Sequence, residues 1–227
     1  GRHTTTESGQ KGADVLSRIK KARPDFVFGE VSNSPVKGIY KSSVENGPSI
    51  YVTEDGKYFF AGDLFEVGEN DIVNLGEKEL EGDRVVELAA LSADDMIVFG
   101  PEKVKAHVYV FTDVDCYYCQ KLHKEVPALK ELGVEVRYLA YPRAGIGSPS
   151  YRKIASAWCA DDKQSALTKL KAGESLEDNV CEPNPVAAQF TMGGKMGVTG
   201  TPALVTSEGR LLPGYMPADK LAKALGL

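Results

Sequence analysis

Residues 107–140 read HVYVFTDVDCYYCQKLHKEVPALKELGVEVRYLA and contain the clearest pattern of secondary structure in the chain. Residues 107–112 are mostly apolar and predict a buried strand, and apolar side chains then recur at helical spacing over 122–132. Gly133 predicts the end of that helix, and residues 134–139 predict a second strand. A strand, a helix and a strand in this order predict a βαβ unit with parallel strands and a right-handed crossover.

A pair of cysteines, Cys116 and Cys119, separates the first strand from the helix. A CxxC motif in that position is typical of a thioredoxin-like redox site. The start of a helix presents unpaired N–H groups and the positive end of the helix dipole, and both stabilise a nearby thiolate. We therefore predict that Cys116 is the nucleophile and that Cys119, one helical turn further on, is the resolving thiol.

The residues alone leave two other uses of this motif open, a structural disulfide and half of a zinc site. Zinc would need about two more ligands at a suitable spacing. His123 follows in a CxxCxxxH arrangement, but the chain has no second CxxC and no pair of histidines spaced for zinc. We favour redox chemistry, and we expect neither a metal nor another cofactor.

The other two cysteines, Cys159 and Cys181, lie in a stretch that is predicted to be mainly helical. One close pair and one distant pair are typical of a redox motif plus a structural disulfide, although four cysteines allow three connectivities. Closing such a loop would stabilise the fold by about 3 kcal/mol in the chain-entropy model. Two free buried thiols are the alternative. A disulfide would place the chain in an oxidising compartment.

The chain before this unit has a different pattern. Residues 13–68 begin with a short amphipathic helix and continue with strand-like runs, one over 26–28, and Asp55-Gly56 between two such runs predicts a hairpin. A helix and a small antiparallel sheet fit this pattern. Because a unit of about 65 residues buries only a modest part of its surface, two arrangements stay open. The unit could associate with itself through a sheet edge, or pack on the rest of the chain as an accessory subdomain.

The predicted domains are 1–68, a largely helical linker over 69–98, and an α/β domain over 99–227. In the linker, Asp83 is a candidate N-cap, and Gly76 and Gly82 are expected to interrupt the helix before it. The α/β domain contains a helical insertion over about 145–195 and, after it, a predicted hairpin and a closing helix, which lie over 203–212 and 218–225.

Composition excludes several classes of protein. With 42% hydrophobic and 26% charged residues the chain is not wholly disordered, and its net charge of −5 provides no basic surface for nucleic acid. No apolar run approaches the roughly 20 residues that cross a membrane. The opening residues carry no apolar core of a signal peptide, so we expect that such a peptide has been removed.

Taken together, these motifs resemble the DsbC/DsbG family of periplasmic disulfide isomerases, and DsbC more closely. The similarity covers nearly the whole chain and is most specific after residue 96. The segments that carry it are Val110–Asp113, the CxxC motif, Lys121–His123, Val136–Arg143, Trp158–Ala160, Gly197–Ala203 and Pro213–Tyr215.

The resemblance implies an α+β protein: a thioredoxin-like catalytic domain with a helical insertion, and a small N-terminal cystatin-like dimerisation domain joined to it by a helical linker. It implies a V-shaped homodimer whose apolar cleft receives misfolded disulfide-containing proteins. A DsbD-type membrane reductase would keep Cys116 and Cys119 reduced.

From the residues alone Thr201-Pro202 is an ordinary trans turn, since only about 5% of X-Pro bonds are cis. The resemblance instead implies a substrate-binding cis-proline at this position. The resemblance also implies a structural disulfide between Cys159 and Cys181.

The residues between the cysteines depart from the family. DsbC proteins usually carry Gly-Tyr there and DsbG proteins Pro-Tyr, whereas this chain has Tyr117-Tyr118. The ring of Tyr117, beside the nucleophile, changes the surroundings of the thiolate and hence the reduction potential, but not the class of reaction.

We expect isomerisation of non-native disulfides through a mixed disulfide at Cys116. The alternatives are a DsbG-like isomerase and chaperone, a holdase that binds unfolded chains without using its thiols, and a net dithiol oxidase.

Overall fold

The computed structural model of the chain describes residues 15–227, which divide into two units between Lys78 and Glu79. Residues 1–14 lie outside the described residues, and with them the start of the predicted N-terminal helix and the segment on which the signal-peptide expectation rests. The domain boundaries at residues 68 and 98 remain a prediction.

The first unit places a helix against a small antiparallel sheet. Its elements are α1 (Ser17–Ala22), β1 (Ser32–Asn33), β2 (Ile39–Ser43), β3 (Ser49–Thr53), β4 (Phe59–Ala61), β5 (Phe65–Val67) and β6 (Ile72–Asn74). Four strands form one sheet in the order β1-β2-β3-β4, and β5 and β6 form a separate ribbon. The apolar core joins Val15, Leu16 and Ile19 to Ile50 and Val52 of β3.

The hairpin predicted from Asp55-Gly56 is confirmed, because β3 and β4 pair antiparallel on either side of it. Gly56 has a φ of 69°, and a Cβ at this position would lie 2.6 Å from the carbonyl oxygen of Val15. Glycine is therefore required both by the turn and by the close approach of the N-terminal segment. The prediction of a strand over 26–28 is wrong, since Phe28 forms only an isolated bridge with Val44.

Helix α2 (Leu75–Ala89) begins well before the predicted cap at Asp83. The side-chain oxygen of Asn74 accepts a hydrogen bond from the N–H of Glu77 at 3.1 Å, which is the geometry of an N-cap. The helix runs through both glycines that were expected to interrupt it, so that expectation is wrong. A good cap and the packing of the later turns outweigh the roughly 1 kcal/mol cost of a glycine in a helix.

The second unit is a mixed sheet with helices packed against it. Its strands are β7 (Ile97–Phe99), β8 (Ala106–Thr112), β9 (Val134–Ala140), β10 (Ala203–Thr206) and β11 (Leu211–Pro213). Its helices are α3 (Tyr117–His123), α4 (Val126–Glu131), α5 (Pro149–Trp158), α6 (Lys163–Lys171), α7 (Val186–Lys195) and α8 (Ala218–Ala224), with a 3-10 turn at Ala93–Asp95. The strand order is β11-β10-β8-β9-β7, in which only β8 and β9 are parallel.

The βαβ unit predicted over 107–140 is confirmed, with one difference. The predicted single helix is divided into α3 and α4, because Pro127 in the first turn of α4 lacks an N–H and its ring would clash with a continuing helix. Alternate residues of β8 enter two apolar clusters, with Val108 and Val110 in one and Tyr109 and Phe111 in the other. Both faces of the strand are therefore buried, as its apolar sequence predicts.

A buried arginine fixes α2 to the sheet of the second unit. Arg84 is 2% exposed, and its guanidinium donates hydrogen bonds of 2.9 Å to the carbonyl oxygens of Met196 and Gly209. Gly209 forms the turn between β10 and β11 with a φ of 84°, and a Cβ there would lie 2.0 Å from the carbonyl oxygen of Glu81. The helix and the turn are in direct backbone contact, which only glycine permits.

We expect Gly209→Ala to lower the free energy of unfolding by about 2 kcal/mol or more, because it adds a backbone clash to an unfavourable φ. The matched control is Gly147→Ala, which has a φ of 89° but open space around the new methyl group. The control should lose only about 1 kcal/mol. Urea unfolding of both variants measures the difference, and equal losses would contradict the close approach.

Candidate active site

Cys116 is the N-cap residue of α3, with its sulfur directed toward the helix. The sulfur accepts a hydrogen bond from the N–H of Cys119 at 3.3 Å and lies 3.4 Å from the carbonyl oxygen of Thr201, to which the thiol can donate. Both cysteines are buried and neither is in a disulfide. The structure therefore brings together three residues that the sequence predicted as parts of one site.

The surroundings of Cys116 favour its thiolate. A hydrogen bond from the thiol of Cys119 is the largest cause that lowers the pKa of Cys116 to about 5, against the opposing effect of burial. The side chain of Thr201, the N–H of Cys119 and the positive charge of Arg143 lower it further. In residues 15–227 the Thr201 hydroxyl is the buried side-chain group without a hydrogen bond of ordinary geometry, so its effect on the pKa of Cys116 comes from its proximity to the sulfur.

The pKa of Cys119 is shifted in the opposite direction. It is 1% exposed, and burial raises the pKa of its thiol well above the ordinary value, with a further increase from the neighbouring Cys116 sulfur. One proton is in effect shared between two sulfurs, and it resides on Cys119. At neutral pH this leaves Cys116 as the thiolate that attacks and Cys119 as the thiol that is held back, the division expected of a nucleophile and a resolving cysteine.

An ion pair between Arg143 and Asp113 supports the site, and the sequence reasoning missed it. The Nε and backbone N–H of Arg143 donate to one carboxylate oxygen of Asp113, at 2.9 and 3.0 Å. Asp113 is 2% exposed, so its charge needs this partner. Both residues lie in the segments that carry the family resemblance, but nothing in the sequence brings them together, since 30 residues separate them.

Tyr117 and Tyr118 form an aromatic surface next to the buried nucleophile. Their side chains are 69% and 54% exposed, with ring centroids 5.2 Å apart in an edge-to-face arrangement. Tyr215 continues this surface, 6.4 Å from Tyr118, and the ammonium of Lys121 lies 4.6 Å above its ring. The site therefore combines a reactive sulfur with exposed apolar rings.

The remaining predicted residues are also placed. The Thr201–Pro202 peptide bond is cis, as the family resemblance implies and unlike the trans turn expected from the residues alone. Cys159, at the end of α5, forms a disulfide with Cys181, which leaves the CxxC cysteines as the free pair.

His123 does not join the cysteines in a zinc site. Its ring nitrogens lie 2.8 Å from the Tyr138 hydroxyl and 2.9 Å from the Thr168 hydroxyl. Burial lowers the pKa of His123 to about 4, so the ring is neutral at neutral pH. In the part of the chain that the structure describes, no three His, Cys, Asp or Glu side chains form a group that could hold a metal ion.

None of the helices within residues 15–227 is long and apolar enough to span a membrane.

Comparison with known proteins gives a consistent result for both parts of the chain. Residues 92–227 match the model of a thioredoxin-like domain, and residues 6–77 match that of the disulfide bond isomerase protein N-terminal domain. The thiol:disulfide interchange protein DsbC of Escherichia coli K12 is 36% identical over 93% of this chain and 87% of its own length. DsbC of Salmonella typhimurium LT2 is 39% identical over 89% of this chain and 82% of its own length.

A more distant relative and a solved structure extend this comparison. DsbG of Pseudomonas aeruginosa is 27% identical over 96% of this chain and 85% of its own length. A crystal structure of the disulfide interchange protein from Neisseria gonorrhoeae superposes with a TM-score of 0.54 at 31% identity. The superposition covers 60% of this chain and 96% of that one.

The low pKa of Cys116 predicts how its alkylation depends on pH. The rate should be nearly constant above neutral pH and should fall to half near pH 5, because only the thiolate reacts. Timed reaction with iodoacetamide and mass spectrometry of the Cys116 peptide measure this profile. Arg143→Gln should move the midpoint to higher pH, since it removes a positive charge near the sulfur.

The control is Arg152→Gln, which removes an exposed arginine that pairs with Asp178. Its alkylation profile should match that of the parent protein. A midpoint near the ordinary thiol value of about 8.5 in the parent protein would contradict the described geometry.

Proposed function

The chain belongs to the DsbC family of thiol:disulfide interchange proteins, and on this premise we propose that the Cys116 thiolate carries out its disulfide isomerase reaction. The observation that supports this assignment is the position of Cys116 at the start of α3, where its pKa is lowered to about 5. Protein disulfide isomerases of this kind act on non-native disulfides in secreted proteins.

The reaction begins when the Cys116 thiolate attacks one sulfur of a non-native disulfide in a substrate protein. A mixed disulfide forms, and the other substrate sulfur leaves as a thiolate. That thiolate attacks a different disulfide in the same substrate, and a substrate thiolate finally displaces Cys116. Electrons are conserved within the substrate, whose disulfides are rearranged and not reduced. The enzyme returns to its starting state.

Cys119 provides an exit when rearrangement stalls. It loses its proton and attacks the Cys116 sulfur, so that the Cys116–Cys119 disulfide forms and the substrate leaves as a reduced dithiol. The enzyme must then be reduced again, and we propose a DsbD-type membrane reductase as the electron donor. Burial, the largest cause that raises the pKa of Cys119, does not depend on the charge of Cys116 and keeps this exit slow, which gives the substrate time to rearrange.

The surface beside the nucleophile suits a misfolded protein. The rings of Tyr117 and Tyr118 offer apolar contact without a shaped pocket, and the Thr201 hydroxyl offers a hydrogen bond next to the reactive sulfur. Such contacts depend little on the substrate's sequence. The Cys159–Cys181 disulfide favours an oxidising compartment, and for a DsbC-family protein we propose the periplasm.

We also propose a homodimer formed through the first unit. The edge strand β4 exposes Phe59 and Phe60 by 53% and 51%, and the β5–β6 ribbon exposes Phe65, Val67 and Ile72 by 53%, 78% and 68%. An unpaired edge with this many exposed apolar side chains is a surface for pairing with another strand. The match of residues 6–77 to the disulfide bond isomerase N-terminal domain supports a second copy of this chain as the partner.

The isomerase assignment predicts recovery of activity from a scrambled, fully oxidised multi-disulfide protein. Catalytic amounts of the pre-reduced chain should restore activity, and Cys116→Ser should abolish the effect because no nucleophile remains. Cys119→Ser should retain part of it, since rearrangement itself does not need the exit step. Loss of recovery in Cys119→Ser but not in Cys116→Ser would reverse the two roles. Rapid oxidation of reduced substrate, without recovery of scrambled protein, would instead indicate a dithiol oxidase.

The dimer assignment predicts that Phe59→Lys together with Phe65→Lys produces a monomer with an intact fold, because both side chains are already half exposed. Sedimentation velocity measures the change. Val27→Lys is the matched control, since it places the same charge at a residue of the first unit that is 59% exposed but lies outside β4–β6. The control should remain a dimer. A parent protein that sediments as a monomer would contradict the proposal.

A further inference from the structure

Lys171, the last residue of α6, is buried beside the CxxC motif with 4% of its surface exposed. Its ammonium donates hydrogen bonds to the hydroxyl of Thr112 and, at 3.4 Å, to the carbonyl oxygen of Cys119. It also lies 4.8 Å from the centre of the Tyr138 ring. Across residues 15–227 no carboxylate forms a salt bridge with it.

A buried cation whose contacts are all neutral is costly, and proteins retain one where it meets an anion at some stage. Burial lowers the pKa of Lys171 to about 8, and the nearby Cys119 sulfur, as the largest opposing effect, favours the charged form. The effect is mutual, because the charge of Lys171 lowers the pKa of Cys119 against the effect of burial. Cys119 is therefore the group that can become its counter-ion.

Building on the proposed roles of the two cysteines, we propose that Lys171 is a positioning residue for the exit step. Its buried ammonium stabilises the Cys119 thiolate, and it thereby sets how fast the enzyme escapes from a stalled mixed disulfide. The sequence contains a sign of this, since Lys171 follows Leu167 by one helical turn and so lies on the apolar face of α6.

The step balances without another reactant. Cys119 loses a proton to solvent and attacks the Cys116 sulfur, the Cys119–Cys116 bond forms, and the substrate thiolate leaves with the electron pair of the broken bond. Lys171 remains protonated throughout and compensates the transient negative charge. It lines a cavity of about 620 Å³, open to the surface, with His123 and Thr168 also in its wall.

Cys116 and Asp113 also favour the charged form of Lys171, but each does so less than Cys119. From α3, His123 is neutral because its pKa is lowered to about 4. From β9, burial raises the pKa of the Tyr138 hydroxyl, so this group stays protonated. Asp113, beyond the end of β8, is paired with Arg143. In the mixed disulfide Cys116 carries no charge, which leaves Cys119 as the titrating partner.

Reaction of the reduced protein with Ellman's reagent tests the proposal, because it separates two steps in one stopped-flow trace. Cys116 first releases one thionitrobenzoate and keeps the other as a mixed disulfide, and Cys119 then releases the second. In Lys171→Met the second phase should be at least about threefold slower at neutral pH, because a one-unit rise in the pKa of Cys119 lowers its thiolate fraction about tenfold while making each thiolate about threefold more reactive. The first phase should change less.

The pH profile distinguishes an electrostatic role from a structural one. The difference between Lys171→Met and the parent protein should shrink as pH rises above the Lys171 pKa of about 8, where the parent also loses the charge. The matched control is Lys169→Met, which removes an exposed lysine from the same helix and should leave both phases unchanged. A second phase of parent rate and parent pH profile in Lys171→Met would overturn the proposal.

A further variant covers the case in which Lys171→Met does not fold. Lys171→Arg keeps a charge that does not titrate in the assay, so its second phase should depend on pH as a single ionisation, without the change in slope near pH 8 expected of the parent. A profile identical to that of the parent would also overturn the proposal. If the parent protein shows no first phase, the assignment of Cys116 fails instead.

Discussion

The chemistry of the second unit depends on the position of the Cys116 sulfur atom. Cys116 lies where β8 ends and α3 begins, and its sulfur contacts an N–H of the helix on one side and the Thr201 carbonyl on the other. The sheet makes this meeting possible, because β10 pairs with β8 in a register that places Ala203 opposite Phe111. The cis Thr201–Pro202 segment just before β10 therefore comes beside the segment just after β8.

Much of this arrangement could be predicted from the sequence, because it depends on local signals. Apolar runs predict β8 and β9, the CxxC position predicts the redox site, and Asp55-Gly56 predicts a hairpin. The errors have local causes as well. The cap at Asn74 moves the start of α2 before Asp83, and Pro127 divides the helix that follows the CxxC.

Electrostatic partners could not be predicted, because distant parts of the chain supply them. Arg143 and Asp113 are 30 residues apart, and Lys171 reaches the carbonyl of Cys119 across 52 residues. A buried lysine is visible in the sequence only as a charged residue on the apolar face of a helix, and its neighbours are not visible at all. Arg143 lowers the pKa of Cys116, whereas burial raises the pKa of Cys119 and Lys171 offsets part of that rise. Cys116 is therefore the readily attacking sulfur, and Lys171 makes the later attack by Cys119 easier.

In the proposed reaction, substrate becomes covalently attached to the sulfur of Cys116. Trapping measures this directly: reduced Cys119→Ser is mixed with a scrambled disulfide protein, quenched in acid, digested and mapped by mass spectrometry without reduction. We expect the intermolecular disulfide at Cys116 and an intact Cys159–Cys181 bond. A mixed disulfide at Cys159 or Cys181, or a complex without a covalent bond, would rule out Cys116 as the attacking sulfur.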